Sequence, residues 1–274
     1  MNPKKWQKYL ALGFIVFMLV LSYLPIFILI AFSFTELGAG NRALSFEPYR
    51  DLFSDGDIWT AALNTLILAG TASLIATIMG TFTAIGIFNM KSKAARAALS
   101  GANQIPVVNP DIVMGVSIML LFVAIKDIGI QFNNEWVHLI IGHTVITTPF
   151  AVLAVMPRLR QLNPNVYEAA LDLGATPFKA TVKVLLPQLI PAMIAAFAIA
   201  FTLSLDDFVV TQYNNLDVDT ISTYVYKTIN SKSNSTPDAA RAFSAILFVA
   251  VMGILVLVNI KSIKANKRKN IKRA

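Results

Sequence analysis

The stretch EAALDLG, residues 168–174, separates two long apolar segments of the chain, and a Leu-Pro pair at 186–187 follows it. Asn163-Pro164 stands before this stretch, and Thr176-Pro177 follows it after one residue, Ala175. Asn and Thr are common helix caps, Pro is tolerated at the first helical position, and Gly favours a helix end. The pattern predicts a helix, a glycine turn and a second helix within a loop of residues 160–187.

The composition places this loop in a membrane protein. Hydrophobic residues make up 56% of the chain, charged residues only 14%, and the mean hydropathy is +0.64, which exceeds what a soluble core of this length requires. A helix that crosses a bilayer needs about 20 apolar residues. Six runs satisfy this requirement: residues 10–32, 61–88, 105–125, 136–156, 184–205 and 242–260.

The apolar runs are predicted to be helices because strands of a membrane barrel would alternate apolar and polar residues, and these runs do not. The predicted fold class is therefore all-α: a polytopic membrane protein with six transmembrane helices, in a single domain over residues 1–274. The first run has a basic start like a signal peptide, but it is long and has no clear small-residue cleavage site, so we expect it to be retained.

The chain has a net charge of +8, and its Lys and Arg residues collect in alternate loops between the apolar runs rather than on one soluble face. This distribution argues against a nucleic-acid partner. A cytosolic N-terminus puts most of the 23 Lys and Arg residues in cytosolic loops. The basic residues left outside are Arg42, Arg50, Lys126, Lys227, Lys232 and Arg241. The excess of inside charge predicts that both termini are cytosolic. The basic run at 261–273 is interpreted as an anchor to lipid headgroups.

The residues give no indication of an enzyme. The sequence has no Cys, and it lacks the G-x-x-x-x-G-K-[ST] loop that cradles the phosphates of ATP. His138 and His143 are the only histidines, and their spacing puts them about 140° apart on a helix, so they are poorly placed to share one metal ion. Each is interpreted as a satisfied structural histidine. We therefore expect no catalytic residue, no metal site and no cofactor bound by this chain.

Two acids, Asp206 and Asp207, end the fifth apolar run. A carboxylate in the bilayer centre costs about 2.5 to 3.5 kcal/mol, so such acids usually lie at an interface or in a water-filled cavity. They either face a cationic substrate, or merely cap the helix end or contact a partner protein, and the sequence leaves these possibilities open. Aromatic rings attract cations, and the candidates near the outer face are Tyr213, Tyr224, Tyr226 and Trp59.

The loop at 160–187 is short, partly apolar and predicted to face the cytosol. Its helix either docks into the groove of a partner or simply connects two spans, and periodicity alone does not decide between these possibilities.

A resemblance adds to this interpretation. The Glu-Ala-Ala triplet, the glycine at 174 and the Leu-Pro pair, placed between the fourth and fifth of six spans, resemble the EAA loop of ABC importer permeases. The length and topology of the whole chain resemble the binding-protein-dependent (type I) family of these permeases. Within that family, SLDDF at 204–208 and the segment 106–115 are similar to the permease subunits of spermidine/putrescine importers.

The resemblance implies the type I ABC importer permease fold and a multi-pass protein of the prokaryotic plasma or inner membrane. It implies import of a polyamine, spermidine or putrescine, by alternating access. The residues that it implies for coupling to the ATPase are Glu168, Ala169, Ala170, Gly174, Leu186 and Pro187. The candidates for the substrate path are Asp206, Asp207, Tyr213, Tyr224 and Trp59.

The same resemblance implies the partners. They are a second, related permease subunit, ATP-binding subunits on the cytosolic side that hold ATP and Mg, an extracytoplasmic solute-binding protein, and membrane lipid. Three rivals remain at this stage: a type I permease for ferric iron, phosphonate or sulfate; a secondary transporter, which needs coupling-ion acids inside its spans; and a membrane enzyme, which needs a buried nucleophile and base.

Overall fold

The computed structural model describes residues 5–35, 44–130, 132, 134–215, 217–230, 238–246, 248–249 and 252–253. Helices dominate this part of the chain, and the β pairing recorded within it is one isolated antiparallel bridge, Thr35 to Leu44. The helices are α1 (Lys5–Phe32), α2 (Glu47–Ser54), α3 (Gly56–Phe88), α4 (Lys93–Val108), α5 (Asp111–Asp127), α6 (Glu135–Gln161), α7 (Pro164–Asp172), α8 (Pro177–Ala180), a π-helical segment (Thr181–Leu185), α9 (Leu186–Asp206), α10 (Val209–Asn214) and α11 (Ile221–Asn230).

Four helical stretches of the described residues are long and apolar enough to cross a membrane. They are Trp6–Phe32, Gly56–Phe88, Glu135–Gln161 and Pro177–Asp206. These stretches contain the predicted spans 10–32, 61–88, 136–156 and 184–205. The all-α membrane fold predicted from the sequence is confirmed. Most of the sixth predicted span, residues 242–260, and the whole basic run at 261–273 lie outside the described residues.

The third predicted span is not one straight helix. Helices α4 and α5 meet at a bend of 107° around Asn109 and Pro110, inside the run 105–125 that we expected to be continuous. Asn109 has extended backbone, with ψ of 142°. A proline disfavours helical backbone in the residue before it and has no N–H to continue the helix, which explains the break at this pair.

Two compact units make up the chain: residues 1–59 with 225–274, and residues 60–224. The first unit carries α1, whose apolar side chains are exposed over most of its length. Next to α1, the Ser33 hydroxyl lies 2.7 Å from the Tyr49 hydroxyl, and the Arg241 guanidinium donates to the Thr35 carbonyl at 3.1 Å. The assignment of the whole chain to one domain stays a prediction.

The core of the second unit lies between α3, α6 and α9. Its buried side chains are small or aliphatic: Ala84, Ile85, Ile87, Ala151, Val152, Val155, Leu159, Leu189 and Ala196. Small residues let transmembrane helices approach closely. Gly80 marks the closest approach, because a Cβ atom added there would lie 2.6 Å from the Ala151 Cβ and 3.1 Å from the Val152 amide nitrogen.

A fully buried histidine ties α6 to α9 and α10. The His143 Nδ1 atom lies 2.7 Å from the Ser204 hydroxyl of α9, and Nε2 lies 2.9 Å from the Thr211 hydroxyl of α10. Nε2 also lies 3.5 Å from a carboxylate oxygen of Asp207. The Thr211 hydroxyl donates its hydrogen to that carboxylate at 3.2 Å, so its oxygen is left to accept from the imidazole. In the neutral ring, the proton is therefore on Nε2, which donates to Thr211, and Nδ1 accepts from the Ser204 hydroxyl. The prediction of a satisfied structural histidine is confirmed for His143.

The close contact at Gly80 predicts that one added methyl group lowers the stability of the protein at this position but not elsewhere in the same helix. Gly80→Ala should lower the thermal unfolding temperature of the purified protein in detergent, because overpacking costs about 1 to 3 kcal/mol. Gly86→Ala in the same helix is the matched control, since nothing lies within 4 Å of its added Cβ. That variant should keep or gain stability, because Ala favours helices by about 1 kcal/mol over Gly. Equal unfolding temperatures for the two variants would contradict the close helix contact.

The hydrogen bonds of His143 predict a large loss of folding stability when the imidazole ring is removed. His143→Leu leaves two buried hydroxyls and a buried carboxylate short of a partner, so we expect about 2 to 4 kcal/mol of destabilisation. Thermal unfolding measures the loss, and amide hydrogen exchange in α10 should rise because its tie to α6 is broken. His138→Leu, at a half-buried position, is the control: it should keep or gain stability, because the buried His138 Nδ1 has no hydrogen-bond partner to lose, and it should leave exchange in α10 unchanged. Normal exchange in α10 of His143→Leu would refute the tie.

Candidate functional site

A pocket of about 290 Å³ opens in the second unit where the α4–α5 bend meets α6 and the end of α9. Three carboxylates line it: Asp111 at the first position of α5, Asp206 at the last position of α9, and Asp207 just beyond. The bend between α4 and α5 is what brings Asp111 to the other two. The remaining lining is mainly apolar, namely Pro106, Val107, Met114, Ile146, Phe150, Thr202, Leu203, Phe208 and Val209. We call this the carboxylate pocket.

The two neighbouring acids have different surroundings. The Asp207 side chain is only 7% exposed, and its carboxylate accepts hydrogen bonds from the Val210 and Thr211 amides at 3.3 and 2.9 Å. It therefore caps the start of α10, a short helix that was not predicted from the sequence. Asp206 is exposed and ends α9, where the helix carbonyls contribute a partial negative charge. Asp206 is thus the better placed of the pair to meet a solute.

Asp111 lies in the segment 106–115 that resembles the polyamine permeases, but it was not among the site residues predicted from the sequence. The signal was present, because the acid directly follows Pro110 in a run that otherwise reads as one span. Phe150 and Phe208 were also missed as aromatic lining. Phe208 is adjacent to the two acids that were selected.

The aromatic candidates lie elsewhere among the described residues. Trp59 belongs to the first unit, where its indole N–H donates to the Leu52 carbonyl at 3.1 Å and its ring packs against Phe53 and Phe243. Tyr213 lines a second cavity of the second unit, and Tyr224 lies on α11. None of these three is among the described residues that line the carboxylate pocket.

The loop at 160–187 folds as the sequence predicts. The Asn163 side chain accepts from the Asn165 amide at 3.0 Å at the start of α7. At the other end, Gly174 has a φ of +84°, with Gly174 N–H bonded to the Leu171 carbonyl and Ala175 N–H bonded to the Ala170 carbonyl. This is the Schellman arrangement, which favours glycine at that position. The Thr176 hydroxyl then caps α8 by accepting from the Lys179 amide at 3.3 Å.

The tip of this loop is exposed and partly apolar. Leu173 is 89% exposed and Phe178 is 74% exposed. Glu168, Ala169 and Gly174 are also exposed, so the coupling candidates are accessible to a partner. Of the remaining candidates, Ala170 is half-buried, Leu186 packs against the α3–α6–α9 core and Pro187 is exposed at the start of α9.

The π-helical segment Thr181–Leu185 joins α8 to α9 and was not predicted from the sequence. Such segments accommodate one extra residue per turn and are frequent at functional sites. Here the segment lies between the exposed loop and the helix that ends at Asp206.

Solved structures with the same fold are chains of ABC transporters. A chain from a bacterial ABC transporter involved in the import of the acidic polysaccharide alginate has a TM-score of 0.67 at 21% identity, covering 94% of both chains. A chain of the MetNI methionine ABC transporter has a TM-score of 0.55 at 19% identity, covering 79% of this chain and 96% of that one. At these identities the likeness concerns the fold alone.

Sequence relatives are more specific. The spermidine/putrescine transport system permease protein PotC of Haemophilus influenzae is 29% identical over 247 residues, 89% of this chain and 93% of that protein. PotC of Escherichia coli K12 is 31% identical over 203 residues, covering 73% and 75%. The putrescine transport system permease protein PotI of the same organism is 28% identical, covering 85% and 83%.

A family-level match covers most of the chain. Residues 76–265 match the family described as binding-protein-dependent transport system inner membrane component. The match includes the loop with the Glu-Ala-Ala triplet and the carboxylate pocket. The chain therefore belongs to this family, the type I permeases of ABC importers.

Proposed function

We propose that this chain is the polyamine-translocating permease subunit of an ATP-driven importer, with spermidine or putrescine as the solute. The observation that carries the proposal is the carboxylate pocket, where Asp111, Asp206 and Asp207 share mainly apolar walls. A polyamine consists of ammonium groups separated by methylenes. Carboxylates pair with the ammonium groups, and the apolar walls with Phe150 and Phe208 receive the methylenes. The polyamine permeases among the relatives support the same assignment.

The character of the pocket favours this solute over the rivals within the family. Its carboxylates repel sulfate and phosphonate. Its apolar walls offer nothing to a bare ferric ion, which prefers a compact set of oxygen ligands, whereas they suit the carbon chain of an organic cation. Membership of the permease family gives no support to the other two rivals, a secondary transporter and a membrane enzyme.

The exposed loop is proposed to couple this chain to ATP-binding subunits on the cytosolic side, which hold ATP and Mg. Its Schellman turn and its caps give it a fixed shape, and Leu173 and Phe178 offer apolar surface to a groove. From the loop, the chain runs through the π-helical segment into α9, which spans 21 residues and so extends about 30 Å to Asp206. A displacement of the loop thus acts along one helix on the wall of the carboxylate pocket.

The remaining partners complete the assembly. A second, related permease subunit forms the translocation path together with this chain, and a solute-binding protein delivers the polyamine from the extracytoplasmic side. Both termini are proposed to be cytosolic. Binding of ATP and docking of the binding protein favour the outward-facing cavity, and hydrolysis returns the path to the inward-facing state.

Substrate recognition by the carboxylate pocket predicts a loss of uptake on neutralisation. Asp206→Asn and Asp111→Asn should each lower energy-dependent uptake of labelled spermidine and putrescine at least tenfold, because each removes a charge that pairs with an ammonium group. Uptake is measured in cells that express the full set of subunits, with ATP depletion as the energy control. Asp217→Asn, at an exposed acid outside the pocket, is the matched control and should transport normally. Unchanged uptake in the Asp111 and Asp206 variants would exclude this pocket as the substrate site.

The coupling role predicts that loop variants lose both uptake and its link to ATP hydrolysis while the protein still reaches the membrane. Gly174→Val forces a β-branched residue into left-handed backbone, which costs at least about 1 to 2 kcal/mol, and Glu168→Lys reverses an exposed charge. Both should abolish uptake and solute-stimulated ATPase activity while immunoblots show normal amounts in the membrane. Gly101→Val is the control, since its backbone is helical and nothing lies within 4 Å of an added Cβ. Normal uptake and ATPase stimulation in both loop variants would show that the loop does not couple.

A further inference from the structure

The second unit contains another cavity, of about 400 Å³, whose described lining shares no residue with the carboxylate pocket. It lies between the C-terminal part of α5, the start of α6 and the end of α10. We call it the aromatic cavity, and the residues that matter here are Phe122, Lys126, Phe132, Glu135, His138, Tyr213 and Asn214. Its volume is within the range of small-molecule sites, about 300 to 1,000 Å³.

Aromatic rings form one wall of this cavity. The Phe122 and His138 ring centroids are 4.3 Å apart, and Phe132 lies 6.2 Å from Phe122 and 6.1 Å from His138, with its ring nearly perpendicular to both. Tyr213 adds a fourth ring. The faces of such rings carry partial negative charge and attract organic cations.

Two opposite charges flank the cavity, and they differ in exposure. Glu135 is half-buried at the first position of α6, whereas Lys126 is exposed in the last turn of α5. A lysine side chain is long enough to carry its ammonium group into water while its methylenes stay on the protein. The glutamate side chain is shorter and less exposed, so its carboxylate is the more enclosed of the two charges that line the cavity.

Two polar atoms in the wall also lack a partner. Asn214 is only 5% exposed, and its amide nitrogen is fixed because it donates to the Gly115 and Val210 carbonyls at 3.1 and 2.9 Å. Its buried Oδ1 accepts no hydrogen bond, and the buried Nδ1 of His138 has no partner either. The prediction that His138 is a satisfied structural histidine is therefore wrong for this atom. Leaving a buried polar atom unpaired is unfavourable, and a ligand with N–H groups would remove that penalty.

We propose that the aromatic cavity binds a primary alkylammonium group. The ammonium pairs with Glu135 and donates to Asn214 Oδ1 and His138 Nδ1, which a small displacement of the flanking rings uncovers, while the alkyl chain packs on Phe122 and Phe132. A carboxylate ligand would be repelled by Glu135 and would leave Asn214 Oδ1 without a donor. A purely apolar ligand would leave both atoms unpaired. This site is separate from the carboxylate pocket, and the proposal holds whether or not the transported solute is a polyamine.

The test measures binding of n-butylammonium to the full chain, purified in detergent together with its partner subunits. The background carries Asp111→Asn and Asp206→Asn, which removes two of the three carboxylates of the carboxylate pocket and weakens binding of a cation there. Saturation-transfer NMR titrations give the dissociation constants. 1-Butanol and n-butyrate serve as ligands of similar size that are neutral and negatively charged. We expect n-butylammonium to bind at least tenfold more tightly than either.

Two charge variants in that background should change the affinity for n-butylammonium in opposite directions. Glu135→Gln should weaken n-butylammonium binding about tenfold, because the pairing charge is lost while the shape is kept. Lys126→Gln should strengthen it about two- to threefold, because a nearby positive charge is removed, and a gain of affinity cannot come from misfolding. Equal binding of 1-butanol, or unchanged affinity in Glu135→Gln, would overturn the proposal. These results are independent of the uptake assays on the carboxylate pocket, so failure of one proposal is distinguishable from failure of the other.

Discussion

The hydrogen-bond group around His143 is the interaction on which the site in the second unit depends. Polar side chains within an apolar bundle are costly unless they find partners inside it. His143 meets this requirement by bonding to Ser204 on one side and Thr211 on the other. It thereby fixes the end of α9 against α10. Asp207 is drawn into this group as the cap of α10, and Asp206 is left exposed beside it.

The neighbouring acids Asp206 and Asp207 therefore have different roles because their surroundings differ. The Asp207 carboxylate is engaged by two backbone amides and a hydroxyl, so it stabilises the local fold whether or not a solute is present. Asp206 shares the pocket with Asp111, which approaches from another helix because α4 and α5 are bent. A pocket wall built from two independently held helices changes its charge spacing when either helix moves. That property suits a transporter, which must bind and then release its solute.

The sequence predicted the features that depend on local chemistry. The helices at 10–32, 61–88, 136–156 and 184–205 follow from hydropathy and length, and the caps at Asn163 and Thr176 with the turn at Gly174 follow from residue type. The break at Pro110 was missed although its cause is local, because hydropathy is continuous across it and the whole run was assigned to one span. The meeting of Asp111 with Asp206 was missed because it depends on contacts between distant residues and exists only once the bend is formed. Tyr213 and Trp59 were chosen for their nearness to the outer face, yet burial and neighbours place them at other sites.

The distribution of charge also bears on selectivity. The chain as a whole carries a net charge of +8, which would repel a cation if that charge were spread evenly. The positional pattern concentrates Lys and Arg in the predicted cytosolic loops, and at physiological ionic strength such charges are screened beyond about 8 Å. The mainly apolar walls of the pocket lower the local dielectric constant, so the pocket acids act more strongly on a nearby charge than loop charges in open water do. Because Asp206 is exposed, however, its attraction for a cation is moderated by solvent. This intermediate strength suits the proposed transport of a polyamine, since a fully buried acid would retain a cation that has to be released.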